Sequence, residues 1–203
     1  RDDVESRGLG DVYKRQLTIP TIRSKLYQSN SSVSLSDHDK ISKDDIVRGL
    51  KLSTKFKKSH EEEVVCVIPV RFNGDFGISQ VPPIGEASRN LIIDTLIITS
   101  QKQILYPYIM AVEKAGLEIM DICINAFACA KEAFDAVYLQ EGALIIDMGY
   151  KTSTISFYKD GYLKYLTVCS VGGYNLTRAI AQHLQISMNQ AETYKVKYGL
   201  SLI

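Results

Sequence analysis

The sequence predicts an α/β fold, and three observations carry that reading. Short β-branched apolar runs at residues 64–72, 91–99 and 143–148 have the length and composition of strands. Segments of helical apolar period or capping pattern stand among them, at residues 42–51, 104–115, 125–138 and from 175 onward. Turn chemistry marks the joints, as in Asn73-Gly74-Asp75 and Lys159-Asp160-Gly161.

At 203 residues the chain can bury a substantial core as one domain or two. Its 45% apolar and 23% charged residues are ordinary for a globular protein. Lys plus Arg number 24 against 23 for Asp plus Glu, so the net charge of +1 offers no footprint for nucleic acid, and no such partner is expected. Cys66, Cys123, Cys129 and Cys169 show no metal-type spacing and read as reduced core thiols of a cytosolic protein. No apolar run reaches the roughly 18 residues of a membrane-spanning helix.

Residues 1–16 lack apolar periodicity and helix caps, and are expected to be a non-native or disordered leader. Residues 17–26 read as one strand interrupted by Pro20, and residues 32–35 as a short one. The helix beginning at Ser42 is well signalled: Ser42 caps it, Asp45 sits at the third position, and Ile41 with Ile46 forms a hydrophobic staple. Its buried face is Ile46, Val47 and Leu50. Lys55, Lys57 and Lys58 followed by Glu61, Glu62 and Glu63 read as a solvated connector. Pro69 marks the strand at 64–72 as an edge or a bend. In the helix at 104–115, closed by Gly116, Pro107 conflicts with an uninterrupted helix and suggests a start near Tyr106 or a bend. A short strand at 117–124 and a helix at 125–138 follow. Asn175 is a plausible N-cap for a helix burying Leu176, Ile180 and Leu184, and Ser187 to Gln190 form a capping box for the last helix.

The chemistry concentrates after Gly142. Leu144 to Met148 read as a buried strand carrying Asp147 near its end; Gly149, Tyr150, Lys151, Thr152 and Ser153 form the turn into a second strand. An acid at a strand end can hold a magnesium ion, usually through water. A turn that brings backbone N–H groups to phosphate oxygens favours glycine at positive φ, and hydroxyls add donors. Alone, this pattern is a weak signal and reads first as a plain hairpin containing an acid.

The wider order of strand, D-x-G, T-S, strand, K-D-G turn, strand and V-G-G-x-N-L-T resembles the second phosphate element of the actin and heat-shock-chaperone ATPase superfamily. The flanks resemble one family in it, the bacterial cell-division protein FtsA. Ile41-Ser42-Lys43-Asp44-Asp45-Ile46 is similar to its ISEEDI helix start. Val67-Ile68-Pro69 and Gly77-Ile78 are similar to its VIP and GI segments, Ala111 to Glu118 to AVERAGLE, and Ala191 to Gly199 to A-E-x-x-K-x-K-Y-G.

This resemblance implies a ribonuclease H-like core interrupted by an inserted strand-helix-strand-strand subdomain. Residues 17–99 fall on that insert (1C, SHS2-type), 100–140 on the returning part of subdomain 1A, and 141–203 on the start of 2A, as an internal fragment of a longer protein. It implies ATP and magnesium as ligands of the intact protein. By position, Asp147 would hold the metal through water. Gly149, Thr152 and Ser153 would line the phosphates, Gly172 and Gly173 would pack at the nucleotide edge, and Glu192 and Lys195 would meet the ribose and base. Without the resemblance, Glu192 and Lys195 read as a surface i,i+3 ion pair.

The resemblance further implies self-association into filaments, a tubulin-like division ring as partner through a region absent here, and later divisome proteins reached through residues 17–99. It implies a cytoplasmic location at the inner membrane face of the division site. Two departures weaken catalysis. Tyr150 and Lys151 replace family glycines, at about 1 kcal/mol if Lys151 must be left-handed. Asn125 stands where the family often has an acid, and Asn is no general base. Both point away from fast hydrolysis and leave slow turnover, or binding without turnover, open. The resemblance also places the first phosphate loop and the adenosine-binding element outside these residues, so the fragment itself is expected neither to bind ATP tightly nor to hydrolyse it. A PilM-type pilus scaffold, a sugar or acid kinase sharing the core, and a plain structural α/β domain are the alternatives.

Overall fold

The computed structural model describes residues 14–35, 40–56 and 58–199. They fall into two compact units that divide at Cys129/Ala130.

In the first unit β1 (Lys14–Ile19), β2 (Lys25–Ser34), α1 (Lys43–Ser53), β3 (Glu62–Gly74), β4 (Gly77–Ser79), β5 (Asn90–Gln101), α2 (Lys102–Lys114) and β6 (Glu118–Ile124) lead into α3 (Asn125–Ala133). The strand expected at 17–26 is in fact two. Pro20 ends the first, and the turn after it includes Arg23 at φ 57°. β1 pairs in parallel with β6, whereas β2 enters a separate antiparallel sheet of order β2-β5-β3-β4. Residues 14–16 of the expected leader thus form half of β1; residues 1–13 lie outside the described residues.

β5 is the central strand. Leu96, Ile97 and Ile98 are consecutive and at most 2% exposed, as a strand covered on both faces requires. On one face Ile93 and Leu91 pack with Val33, Phe72, Ile41 and Ile46. Ser42 and Asp45 close a reciprocal capping box, which starts α1 and brings both staple isoleucines into this cluster. Gly49 lets α1 lie close to the sheet, since a Cβ there would stand 2.6 Å from Ile93 Cδ1. Val47, expected in the core, is 46% exposed on the opposite side of α1. Pro69 adjoins one of two register shifts in β3, the bend its ring suggested. Pro107 lies inside α2, which starts at Lys102 and accepts the loss of one backbone bond.

One member of the presumed connector is not solvated. Glu62 is 2% exposed, and its carboxylate accepts from Lys25 Nζ at 2.5 Å, Tyr27 Oη at 3.0 Å and Thr99 Oγ1 at 3.1 Å. The bond from Lys25 is the main reason its carboxyl is held below the usual value of 4.5, against the opposing effect of burial. A group ionised more readily when folded stabilises the fold above its unfolded pKa, and that contribution disappears as pH falls through the lower folded value. Glu62→Gln is therefore expected to flatten the loss of first-unit stability below pH 4.5, measured by urea unfolding at stepped pH. An unchanged slope would remove Glu62 as its source.

In the second unit α4 (Ala136–Glu141) precedes a three-stranded antiparallel meander of β7 (Ala143–Met148), β8 (Ser153–Lys159) and β9 (Tyr162–Cys169). Two helices follow, α5 (Gly173–Leu184) and α6 (Met188–Tyr198). The helix expected over 125–138 is broken between Ala133 and Ala136. Asp160 at φ 56° and Gly161 at φ 82° make the tight β8–β9 turn, and their N–H groups donate to Gln140 and Leu139 carbonyls at 2.9 and 3.1 Å.

Two expectations of burial fail in this unit. Leu144, Ile146 and Met148 are each 58% exposed on β7, an edge strand with one face uncovered among the described residues. Leu176 and Leu184 are each 50% exposed, whereas Thr177 and Ala181 form the buried stripe of α5. None of the four cysteines is fully buried: Cys129 is exposed and the other three are half-buried.

Candidate functional site

The site is built where the β7–β8 turn meets the start of α5. Met148 pairs with Ser153, which leaves Gly149 to Thr152 as the tip. Gly149 N–H donates to Thr152 O at 2.9 Å and closes it. The tip then docks on the helix: Gly173 N–H donates to Gly149 O at 2.9 Å and Tyr174 N–H to Tyr150 O at 2.7 Å. The Tyr150 and Tyr174 rings meet edge to face, 5.6 Å between centroids. α5 begins earlier than the sequence suggested: Gly172 is its N-cap, and Asn175 Oδ1 accepts from Gly172 N–H at 2.9 Å.

Gly172 is buried because the tip lies on it. A Cβ there would stand 2.6 Å from both Gly149 O and Tyr150 O. Its φ of −158° is extended, so space and not torsion demands glycine. Gly149 is similar: it has no positive φ, but a Cβ would lie 3.0 Å from Thr152 O. Tyr150 and Lys151 also avoid the left-handed region. The tip thus forms without the strain that replacing glycine by lysine suggested, and Tyr150 is accommodated on Tyr174.

Each predicted site residue has a definite place. Asp147 is exposed near the end of β7, and its carboxylate enters no ion pair or hydrogen bond among the described residues. The Tyr150, Lys151 and Thr152 N–H groups make no backbone bond among those residues. A free carboxylate beside a run of unpaired amides suits a hydrated magnesium ion carried by phosphate, and Asp147 would be its protein ligand. Among the described residues no group of three acidic, His or Cys side chains gathers, so a phosphate would have to complete the ion's shell. Ser153 is 4% exposed and its hydroxyl donates inward to Val171 O at 2.6 Å, a brace between β8 and the segment before α5. Thr152 is half-buried at the tip.

Glu192 and Lys195 come together with Gly173. Lys195 Nζ donates to Glu192 Oε2 at 2.8 Å and to Gly173 O at 3.3 Å. They are more than a surface pair, because Thr177 Oγ1 stands between them, 2.5 Å from Glu192 Oε2 and 2.9 Å from Lys195 Nζ. Lys195 chiefly, then Thr177, holds the Glu192 carboxyl below the usual carboxylate range. Sequence reasoning missed Thr177. Its signal was available in Asn175-Leu176-Thr177, since a threonine one turn after a Gly-Gly pair faces the same way as the glycines.

Seen from its fold, the molecule has a class: it is an actin-like ATPase fold. The solved PilM–PilN type IV pilus biogenesis complex superposes with a TM-score of 0.57 at 16% identity, over 92% of this chain and 51% of that one. By sequence the chain is similar to one family of proteins. Residues 144–203 match the family model of cell division protein FtsA. The FtsA of Bacillus subtilis (strain 168) is 30% identical over 175 residues, 86% of this chain and 40% of the relative. The FtsA of Staphylococcus epidermidis (strain RP62A) is 28% identical over 191 residues, 93% of this chain and 41% of the relative. The chain is similar to FtsA along most of its length, and spans about two fifths of the relatives it matches.

Proposed function

We propose that this chain is part of a cell-division protein of the actin-like ATPase superfamily, and that its second unit is half of an ATP site. The docking of the β7–β8 tip on Gly172 and Gly173 carries the reading. It gathers Asp147, the free amides of residues 150–152 and the Gly-Gly helix start in one place, with Thr177, Glu192 and Lys195 joined to Gly173. The similarity to FtsA supports the division role, and 16% identity to the PilM complex supports only the fold.

In this proposal the sheet β2-β5-β3-β4 with α1 is the 1C-like insert, residues 100–140 return to subdomain 1A, and residues from 141 open 2A. The whole protein self-associates into filaments at the inner membrane face of the division site. It tethers the tubulin-like ring there and meets later divisome proteins through residues 17–99. Magnesium, carried on ATP at Asp147, neutralises phosphate charge when bound. This chain's residues bind and orient: the tip amides meet phosphate and Glu192 meets the sugar. Ser153 holds the tip in place and does not meet the ligand with its proton.

The 203-residue chain is expected to bind Mg-ATP only weakly, at millimolar concentrations in an NMR titration, and to release no phosphate above the buffer rate. Asp147→Ala is expected to abolish the magnesium dependence of that binding. Equal magnesium dependence in both proteins removes Asp147 from the site, and measurable turnover refutes the inactive reading.

A further inference from the structure

We propose that Thr177 is a positioning residue for nucleotide recognition, which together with Lys195 commits one oxygen of Glu192 and leaves the other, Oε1, to meet the sugar hydroxyls. The inference rests on the nucleotide reading above and refines it, because it takes Lys195 out of direct contact.

An ammonium group has three donors. Those of Lys195 have three acceptors in reach: Glu192 Oε2 at 2.8 Å, Thr177 Oγ1 at 2.9 Å and Gly173 O at 3.3 Å. None is left for a ligand. Thr177 has a single proton and two acceptors in reach, Glu192 Oε2 at 2.5 Å and Gly173 O at 3.0 Å. While Lys195 donates to its oxygen, the short contact to a carboxylate is the stronger of the two. Glu192 Oε2 thereby receives two donors, and Oε1 receives none among the described residues.

An ionised carboxylate accepts only, so the group it recognises must donate. The vicinal hydroxyls of a ribose are such donors, and a dideoxy sugar is not. Thr177 is suited to hold this geometry because it is 2% exposed on α5, one turn from Gly173, and cannot rotate into water. The lowered Glu192 pKa agrees with an acceptor that stays ionised near neutrality.

The test is an NMR titration of the labelled 203-residue chain with Mg-ATP and with Mg-2′,3′-dideoxy-ATP, for the unmodified chain and for Thr177→Val, Thr177→Ser and Glu192→Ala. The unmodified chain should prefer ATP by about tenfold or more, the effect of one charge-assisted hydrogen bond. Thr177→Val should lose that preference while the residue 150–153 amides still shift, and Thr177→Ser should restore it. Glu192→Ala lies at the half-exposed side and should lose the preference with an intact β7–β9 spectrum. Binding of both nucleotides with equal affinity by the unmodified chain, or a preference that survives Thr177→Val or Glu192→Ala, overturns the inference alone. Failure of the unmodified chain to bind either nucleotide overturns the nucleotide reading as well.

Discussion

Gly172→Ala is expected to undo the candidate site and destabilise the second unit by about 1–3 kcal/mol, the usual cost of forcing a methyl into a filled space. The added carbon would stand 2.6 Å from two backbone carbonyl oxygens, Gly149 O and Tyr150 O, which cannot swing aside as a side chain can. Relief requires the tip to lift. That would break the Gly173–Gly149 bond of 2.9 Å and the Tyr174–Tyr150 bond of 2.7 Å. Gly173→Ala is the control, because its Cβ would meet Lys195 Nζ at 3.4 Å, the far end of a flexible chain, and Gly149 O at 3.8 Å, an ordinary van der Waals distance. Amide hydrogen exchange across β7 and β8 separates them: protection should collapse in Gly172→Ala and survive in Gly173→Ala. Equal protection in both would mean that the tip does not depend on the space at Gly172.

Phe72→Ala should have the largest effect on the first unit, about 3–5 kcal/mol. The ring is 0% exposed and packed among Val33, Ile41, Ile46, Leu91 and Ile93, so its removal leaves a cavity between α1 and the sheet. The cluster joins β2, β3, β5 and the helix. Val47→Ala on the outer side of the same helix should cost no more than about 0.5 kcal/mol, since Val47 is 46% exposed. Urea unfolding of the two variants measures the difference. Comparable losses would place the core elsewhere.

Much of the fold was legible because local signals agreed with one another. The capping boxes at Ser42 and Ser187, the Asp160-Gly161 turn and the β-branched run of β5 each name an element by its own chemistry. The failures have a common cause, which is that burial depends on partners distant in sequence. Leu144, Ile146 and Met148 read as core because they are apolar, but among the described residues β7 has a strand on one side only and these side chains are exposed. Glu62 read as solvated because it stands among lysines and glutamates, but its register opposite Gln101 puts it beneath Lys25, Tyr27 and Thr99. Pro20 was visible as an interruption, but nothing local tells that the strands on either side of it enter different sheets.

The candidate site was legible in its residue types and less so in their division of labour. Asp147 and the Gly172-Gly173 pair are where the motif order put them. The role of glycine changed from supplying a left-handed turn to admitting a close backbone approach, which only coordinates reveal. Ser153 and Thr177 are both hydroxyl residues near the tip. The first faces into the unit, and the second links Glu192 to Lys195.

The most direct measurement of the central claim is a map of where Mg-ATP touches this chain. Amide shifts recorded through a millimolar titration should be confined to the β7–β8 tip at residues 149–153, the start of α5 at Gly172 and Gly173, and the face of α6 bearing Glu192. A map with its largest shifts on β2, β3 or β5, or with no shift at the tip at all, would contradict the assignment of this hairpin as half of a nucleotide site.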